Sequence, residues 1–112
     1  MAKPPDFYIQ MKEEQPDLID AYESLGRAAR EAGPLDKRTQ ALVKLGLSIG
    51  AGLEGSTHSS VRKATAAGCS EDEIHHAVFL AVTTLGFPSM MRARAWAEDV
   101  LAGDSSSPDD ET

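Results

Sequence analysis

Glu54 and His58 stand four residues apart. On a helix that spacing places a carboxylate and an imidazole on one face, a single turn from each other. A carboxylate that accepts from one ring nitrogen fixes the tautomer and leaves the other nitrogen to carry a proton, which suits general acid/base chemistry. The competing reading is a surface pair at a helix start, where Glu54 favours the helix dipole. Arg62 follows His58 by one further turn, and Lys63 by one residue more. They can clamp a carboxylate substrate, or line an ordinary exposed helix face.

His75 and His76 are adjacent. On a helix they point about 100° apart, so only one faces a given pocket. His76 borders the apolar run and is expected to be half-buried, whereas His75 lies nearer the charged first turn and is expected in solvent. Glu54, His58 and His76 offer donors that ligate zinc or iron. Their spacing matches no compact metal motif such as His-Glu-x-x-His, and neither a metal nor any other cofactor is expected. Cys69 is the only cysteine, so an intramolecular disulfide and a two-cysteine redox cycle are both excluded. Ser56, Ser59 and Ser60 flank His58 without a visible third member of a nucleophilic triad.

These residues must be positioned by helices. Residues 1–15, with Pro4, Pro5 and mixed charge, read as an irregular N-terminal arm. A first helix is expected from Pro16, carrying Leu18, Tyr22, Leu25 and Ala29 at helical spacing and stopped by Gly33-Pro34. Asp36 is suited to cap a second helix to about Gly50, with apolar residues on more than one face and therefore largely buried. A third runs from about Gly55 to Ala67, ending at Gly68. Ser70-Glu-Asp-Glu73 spells a capping box for a fourth helix to about Leu85. Its centre, Ala77 to Val82, is apolar all round, which predicts burial inside the domain or at a subunit contact. Pro88 opens a fifth helix with Met90, Ala93, Ala97, Val100 and Leu101 on one stripe. Strand patterning is absent. The fold class expected is all-α, a bundle of about five to six helices over residues 16–103, followed by a disordered acidic tail at 104–112.

A chain of 112 residues is one domain by size. Its formal charge is −7, and four acids fall in the last nine residues. That balance argues against nucleic acid and against an anionic membrane surface as partners. The N-terminus has no apolar leader, and no apolar run approaches the roughly 20 residues that cross a bilayer. With a lone cysteine, these features set the expectation of a cytoplasmic protein.

The order and spacing of Asp36-Lys-Arg-Thr39, Val61-Arg-Lys-Ala64, Gly68 before the capping box, and Thr84-Leu-Gly-Phe-Pro88 resemble the carboxymuconolactone decarboxylase family, which includes the alkyl hydroperoxidase D-like proteins. The resemblance spans Leu35 to Leu101. It implies an all-helical fold assembled as a homo-oligomer, a dimer or a hexameric trimer of dimers. Redox members carry Cys-x-x-Cys-x-x-x-His, and those positions fall here on Leu53, Ser56 and Ser60; an assisting acid falls on Ala41. All four reactive groups are missing. The resemblance also implies cofactor-free chemistry on a lactone acid in decarboxylase members.

Three functions follow as expectations. The first is a cofactor-free lyase or hydrolase acting on a small carboxylate or lactone, with His58, Glu54 and His76 catalytic and Arg62 and Ser60 binding substrate. The second is a non-catalytic oligomeric protein that binds a small molecule. The third is an alkyl hydroperoxidase-type antioxidant with peroxiredoxin-like activity, which Leu53 and Ser56 disfavour. Any site is expected to centre on His58, between apolar walls from the helices over 36–50 and 70–85, with His76 as its second polar group.

Overall fold

A computed structural model describes residues 6–103. The expected acidic tail at 104–112 lies outside them. Every regular element among the described residues is helical: α1 (Asp6–Glu14), α2 (Pro16–Arg30), α3 (Lys37–Ala51), α4 (Glu54–Ala66), α5 (Glu71–Phe79), α6 (Val82–Leu85) and α7 (Phe87–Glu98), closed by a π-helical turn, Asp99–Gly103.

The helix boundaries follow local chemistry. Pro16 opens α2, where its missing N–H would have had no partner anyway. Asp36 caps α3, its Oδ1 accepting from the Thr39 amide at 2.8 Å. Gly52 ends α3 with φ 70°, a left-handed conformation open to glycine at little cost. Ser70 and Glu73 form the expected reciprocal capping box, with Glu73 N–H donating to Ser70 Oγ at 3.0 Å and Ser70 N–H to Glu73 Oε1 at 2.8 Å.

The core lies among α3, α4, α5 and α7. Leu45, Val61, Ala64, Ile74, Val78, Ala93 and Ala97 are buried in it, with Ile49 and Cys69 at its edge. Each fully buried Leu, Ile or Val side chain stabilises the fold by about 1.5–3 kcal/mol. The alanines matter by being small, because they let α4 and α7 approach closely. The expected stripe on α7 is present: Met90, Val100 and Leu101 pack on the same core.

Three expectations need correction. Residues 6–14, read as irregular, form α1 and lie along α2, where Tyr8 Oη donates to Glu23 and Lys12 Nζ sits 3.3 Å from the same carboxylate. Local pairing with α2 stabilises a segment whose own sequence is only weakly helical. The helix expected to reach Leu85 stops at Phe79, turns through Leu80 and Ala81, and restarts as α6. The Ala81 amide bonds to Val78 O at 3.0 Å, a tight turn that puts Ala81 in the core after Ile74 and Val78. Finally, α3 is less buried than expected, and the run from Ala77 to Val82 is only partly covered within the chain, which leaves the subunit contact as the expected alternative. Val43 and Leu47 on α3, and Phe79, Leu80 and Val82 around the α5–α6 turn, are exposed. So is the α2 stripe of Leu18, Tyr22 and Leu25, with Leu25 67% exposed.

Candidate functional site

Glu54 lies in the first turn of α4, and His58 follows on the same face. Close packing of α7 against α4 carries the end of α7 back to this turn. Asp99, the first residue of the π-helical turn, thereby arrives beside the imidazole. His58 Nε2 and Asp99 Oδ2 are 3.0 Å apart. An ionised carboxylate only accepts, so Nε2–H donates, and Nδ1 is the nitrogen left with a lone pair. Donor atoms from Glu54, His58 and Asp99 all lie within 4.8 Å of one another. The His58 side chain is 23% exposed and that of Asp99 58%. The imidazole is therefore partly sheltered, but still open to an incoming molecule.

Asp99 escaped the sequence reading. It is 41 residues from His58, beyond any helical repeat, and only the α4–α7 packing joins them. No local pattern marks it, because the apolar stripe continues past Asp99 through Val100 and Leu101.

On the side of α4 that meets α3, three hydroxyls converge. Ser48 Oγ, buried, lies 2.7 Å from Ser56 Oγ and 3.0 Å from Ser60 Oγ. Ser56 and Ser60 stand where redox relatives are expected to hold a cysteine and a histidine. Here the space is filled by serines bonded to a third serine, an arrangement that orients hydroxyls without activating a nucleophile. Leu53, at the other cysteine position, is exposed, and Ala41 is partly buried. Thr57, fully buried next to His58, has a hydroxyl without a hydrogen-bond partner.

His76 belongs to a different place. It lines a groove of about 630 Å³ between α3 and the α5–α6 segment, with Leu42, Val43, Ala77, Leu80 and Leu85 among the walls. The apolar walls are those expected from the sequence, but His58 does not line this groove. The two adjacent histidines also exchange their expected environments. His76 is exposed, whereas His75 is part-buried, 3.4 Å from Glu98 Oε1 and stacked on Phe79 with ring centroids 6.1 Å apart. The helical phase explains this: His75 follows Ile74 towards α7, and His76 turns away from it. Arg62 is part-buried on α4 and engaged within the protein.

Near the groove mouth, Arg38 Nη2 reaches both Glu73 oxygens, at 2.5 and 2.6 Å. The guanidinium, helped by the Ser70 amide, holds the Glu73 carboxyl below the usual carboxylate range. Asp36 is lowered as well, by the Thr39 amide that it caps. Cys69 is buried, with Sγ 3.8 Å from Arg38 O.

No helix among the described residues is long and apolar enough to cross a membrane. No curated protein sequence matches this chain significantly. A solved structure similar to it is that of a carboxymuconolactone decarboxylase family protein from Legionella pneumophila in its apo form, with 26% sequence identity, a TM-score of 0.75 and 83% of each chain covered. The profile of the Carboxymuconolactone decarboxylase family matches residues 16–99, from the start of α2 to Asp99. By that match, which takes in every helix of the core, the chain belongs to the carboxymuconolactone decarboxylase family.

Proposed function

We propose that this protein is a cofactor-free lyase or hydrolase acting on a small carboxylate or lactone, with His58 as its acid/base. The observation that carries the reading is the 3.0 Å contact between His58 Nε2 and Asp99 Oδ2, with Glu54 alongside. Asp99 holds the ring in one tautomer and stabilises it when protonated, and Nδ1 exchanges the proton with substrate. Glu54 supplies a second carboxylate, and Arg62 adds positive charge one turn along the same helix. For a lactone acid, the bond to the carboxylate carbon breaks and carbon dioxide leaves. The electron pair passes into the conjugated lactone, and protonated His58 then delivers a proton to carbon. Ser60, two residues further along α4, points about 200° from His58 and faces α3 with Ser48 and Ser56, so it is left out of the reaction at His58. Peroxidase chemistry is disfavoured, because Leu53 and Ser56 replace the attacking and resolving thiols.

The groove over α3 and α5 favours a second reading, an oligomeric protein of the same fold that binds a small molecule without turning it over. There the walls are apolar, and His76, Thr39 and Thr84 are the polar groups that would orient a ligand. Turnover of a panel of lactone acids, compared between the natural protein and His58→Gln, separates the two. Turnover that requires His58 supports the enzyme. Binding without turnover supports the second reading.

A further inference from the structure

We infer that Glu54, His58 and Asp99 form a binding site for a divalent transition metal of the zinc type. The donor set is one imidazole nitrogen and two carboxylates, a mixed set that favours zinc and its neighbours over calcium or magnesium. A tetrahedral zinc with ligand bonds of ~2.0–2.1 Å needs its ligand atoms ~3.3 Å apart. His58 and Asp99 are already 3.0 Å apart, close to that separation. The largest spacing in the cluster is no more than 4.8 Å. A shift of ~1.5 Å closes that gap to the zinc separation, and Glu54, exposed in the first turn of α4, is free of core packing that would resist it.

The three ligands also come from a rigid source. Glu54 and His58 share one helix, and Asp99 is fixed by the packing of α7 on α4, with Ala64, Ala93 and Ala97 buried between them. The partly exposed imidazole leaves room for water or a ligand carboxylate at the remaining metal position. In the absence of metal, two carboxylates crowd one imidazole, and their mutual repulsion favours any cation that enters.

One consequence deepens the acid–base reading and rests on it. A metal on Nε2, the nitrogen that faces Asp99, takes the place of the proton donated to that carboxylate. The ring proton then sits on Nδ1, which no longer has a lone pair to exchange a proton with substrate. The same three side chains then hold either a proton relay or a metal, and zinc switches the relay off.

The test is calorimetric titration of zinc into the chelator-treated, full-length protein and into Glu54→Gln, His58→Gln and Asp99→Asn, with the ring resonances of the three histidines followed by NMR. The expected result is one zinc per chain, affinity lowered at least ~10-fold in each variant, and selective perturbation of His58 over His75 and His76. Thermal melts establish that each variant is folded. Absence of binding, unchanged affinity in folded Asp99→Asn, or perturbation of His75 or His76 in place of His58 would each overturn the site. Turnover is measured separately, with and without zinc. Suppression by zinc supports the switch, and stimulation overturns it. A protein that binds zinc through these residues yet turns nothing over in either state sinks the acid–base reading and leaves the metal site standing.

Discussion

Asp99 reaches His58 from the far end of the fold, with Oδ2 3.0 Å from Nε2 and 41 residues between them in sequence. The next residue back, Glu98, does the same for His75 at 3.4 Å. Consecutive carboxylates at the end of α7 therefore hold imidazoles on two different helices, α4 and α5. They point apart because adjacent residues of a helix project about 100° from one another, and the α geometry of α7 gives way to the π-helical turn at Asp99. A π-helical turn at this junction is a local departure from regular structure of the kind often found at functional positions.

The assembled protein is predicted to be an oligomer, at least a dimer. Leu18, Tyr22 and Leu25 form an exposed apolar stripe on α2, and Leu80 and Val82 are exposed around the α5–α6 turn, side chains that a second copy would take out of water. Light scattering at micromolar concentration should give a mass of two chains or more, and Leu25→Glu or Leu80→Glu should lower it. A monodisperse monomer of the natural protein would reject the prediction.

Leu45 is fully buried where α3 meets α4. Leu45→Ala should destabilise the fold by about 2–5 kcal/mol, from lost burial plus the cavity left behind. Urea unfolding measures this directly. A loss below 1 kcal/mol would mean that the α3–α4 contact collapses around the gap, contrary to the close packing described.

The Glu73 carboxyl is held low in the folded protein, chiefly by Arg38 and then by the Ser70 amide. A folded value below the unfolded one stabilises the native state above the unfolded carboxylate range, and that stabilisation is lost as pH falls through the folded value. Asp36 acts in the same direction. The urea midpoint should thus hold steady near neutrality and fall once pH drops below ~4.5. Glu73→Gln should show a lower midpoint at pH 7 and a shallower acid decline. An acid decline of equal steepness in the variant would remove Glu73 as a source of the effect.

Peroxide consumption driven by a dithiol reductant should be negligible. Cys69 is the only thiol, is buried, and has no resolving partner in the chain. Robust turnover abolished by Cys69→Ser would contradict this and require a one-cysteine mechanism.

What the sequence disclosed depended on range. Asp36, Pro16, Pro88 and the Ser70–Glu73 box act within a turn of helix, and each sits where its local chemistry places it. Glu54 and His58 were legible for the same reason, since four residues on a helix fix their neighbourhood. Asp99 was not, because its role depends on how α7 packs on α4. The His75 and His76 environments were exchanged because an apolar run does not reveal which side of a helix meets the core. In α5 that side was set by Ile74 and Val78. Ala77 to Val82 looked like one buried helix, yet the chain turns at Leu80 and Ala81 and is helical again from Val82; neither residue is a helix breaker, so nothing local marked the turn.

The central claim is that His58, oriented by Asp99, carries the proton. Its most direct test is turnover of a lactone acid by the metal-free protein, followed as carbon dioxide release or lactone loss, in the natural chain, His58→Gln and Asp99→Asn. His58→Gln should lower kcat by about 10²–10⁴-fold, the usual contribution of a general acid/base group. Asp99→Asn should lower kcat with little change in KM, because it misorients the imidazole without removing a substrate contact. A folded His58→Gln protein that turns over substrate at the natural rate would contradict the account.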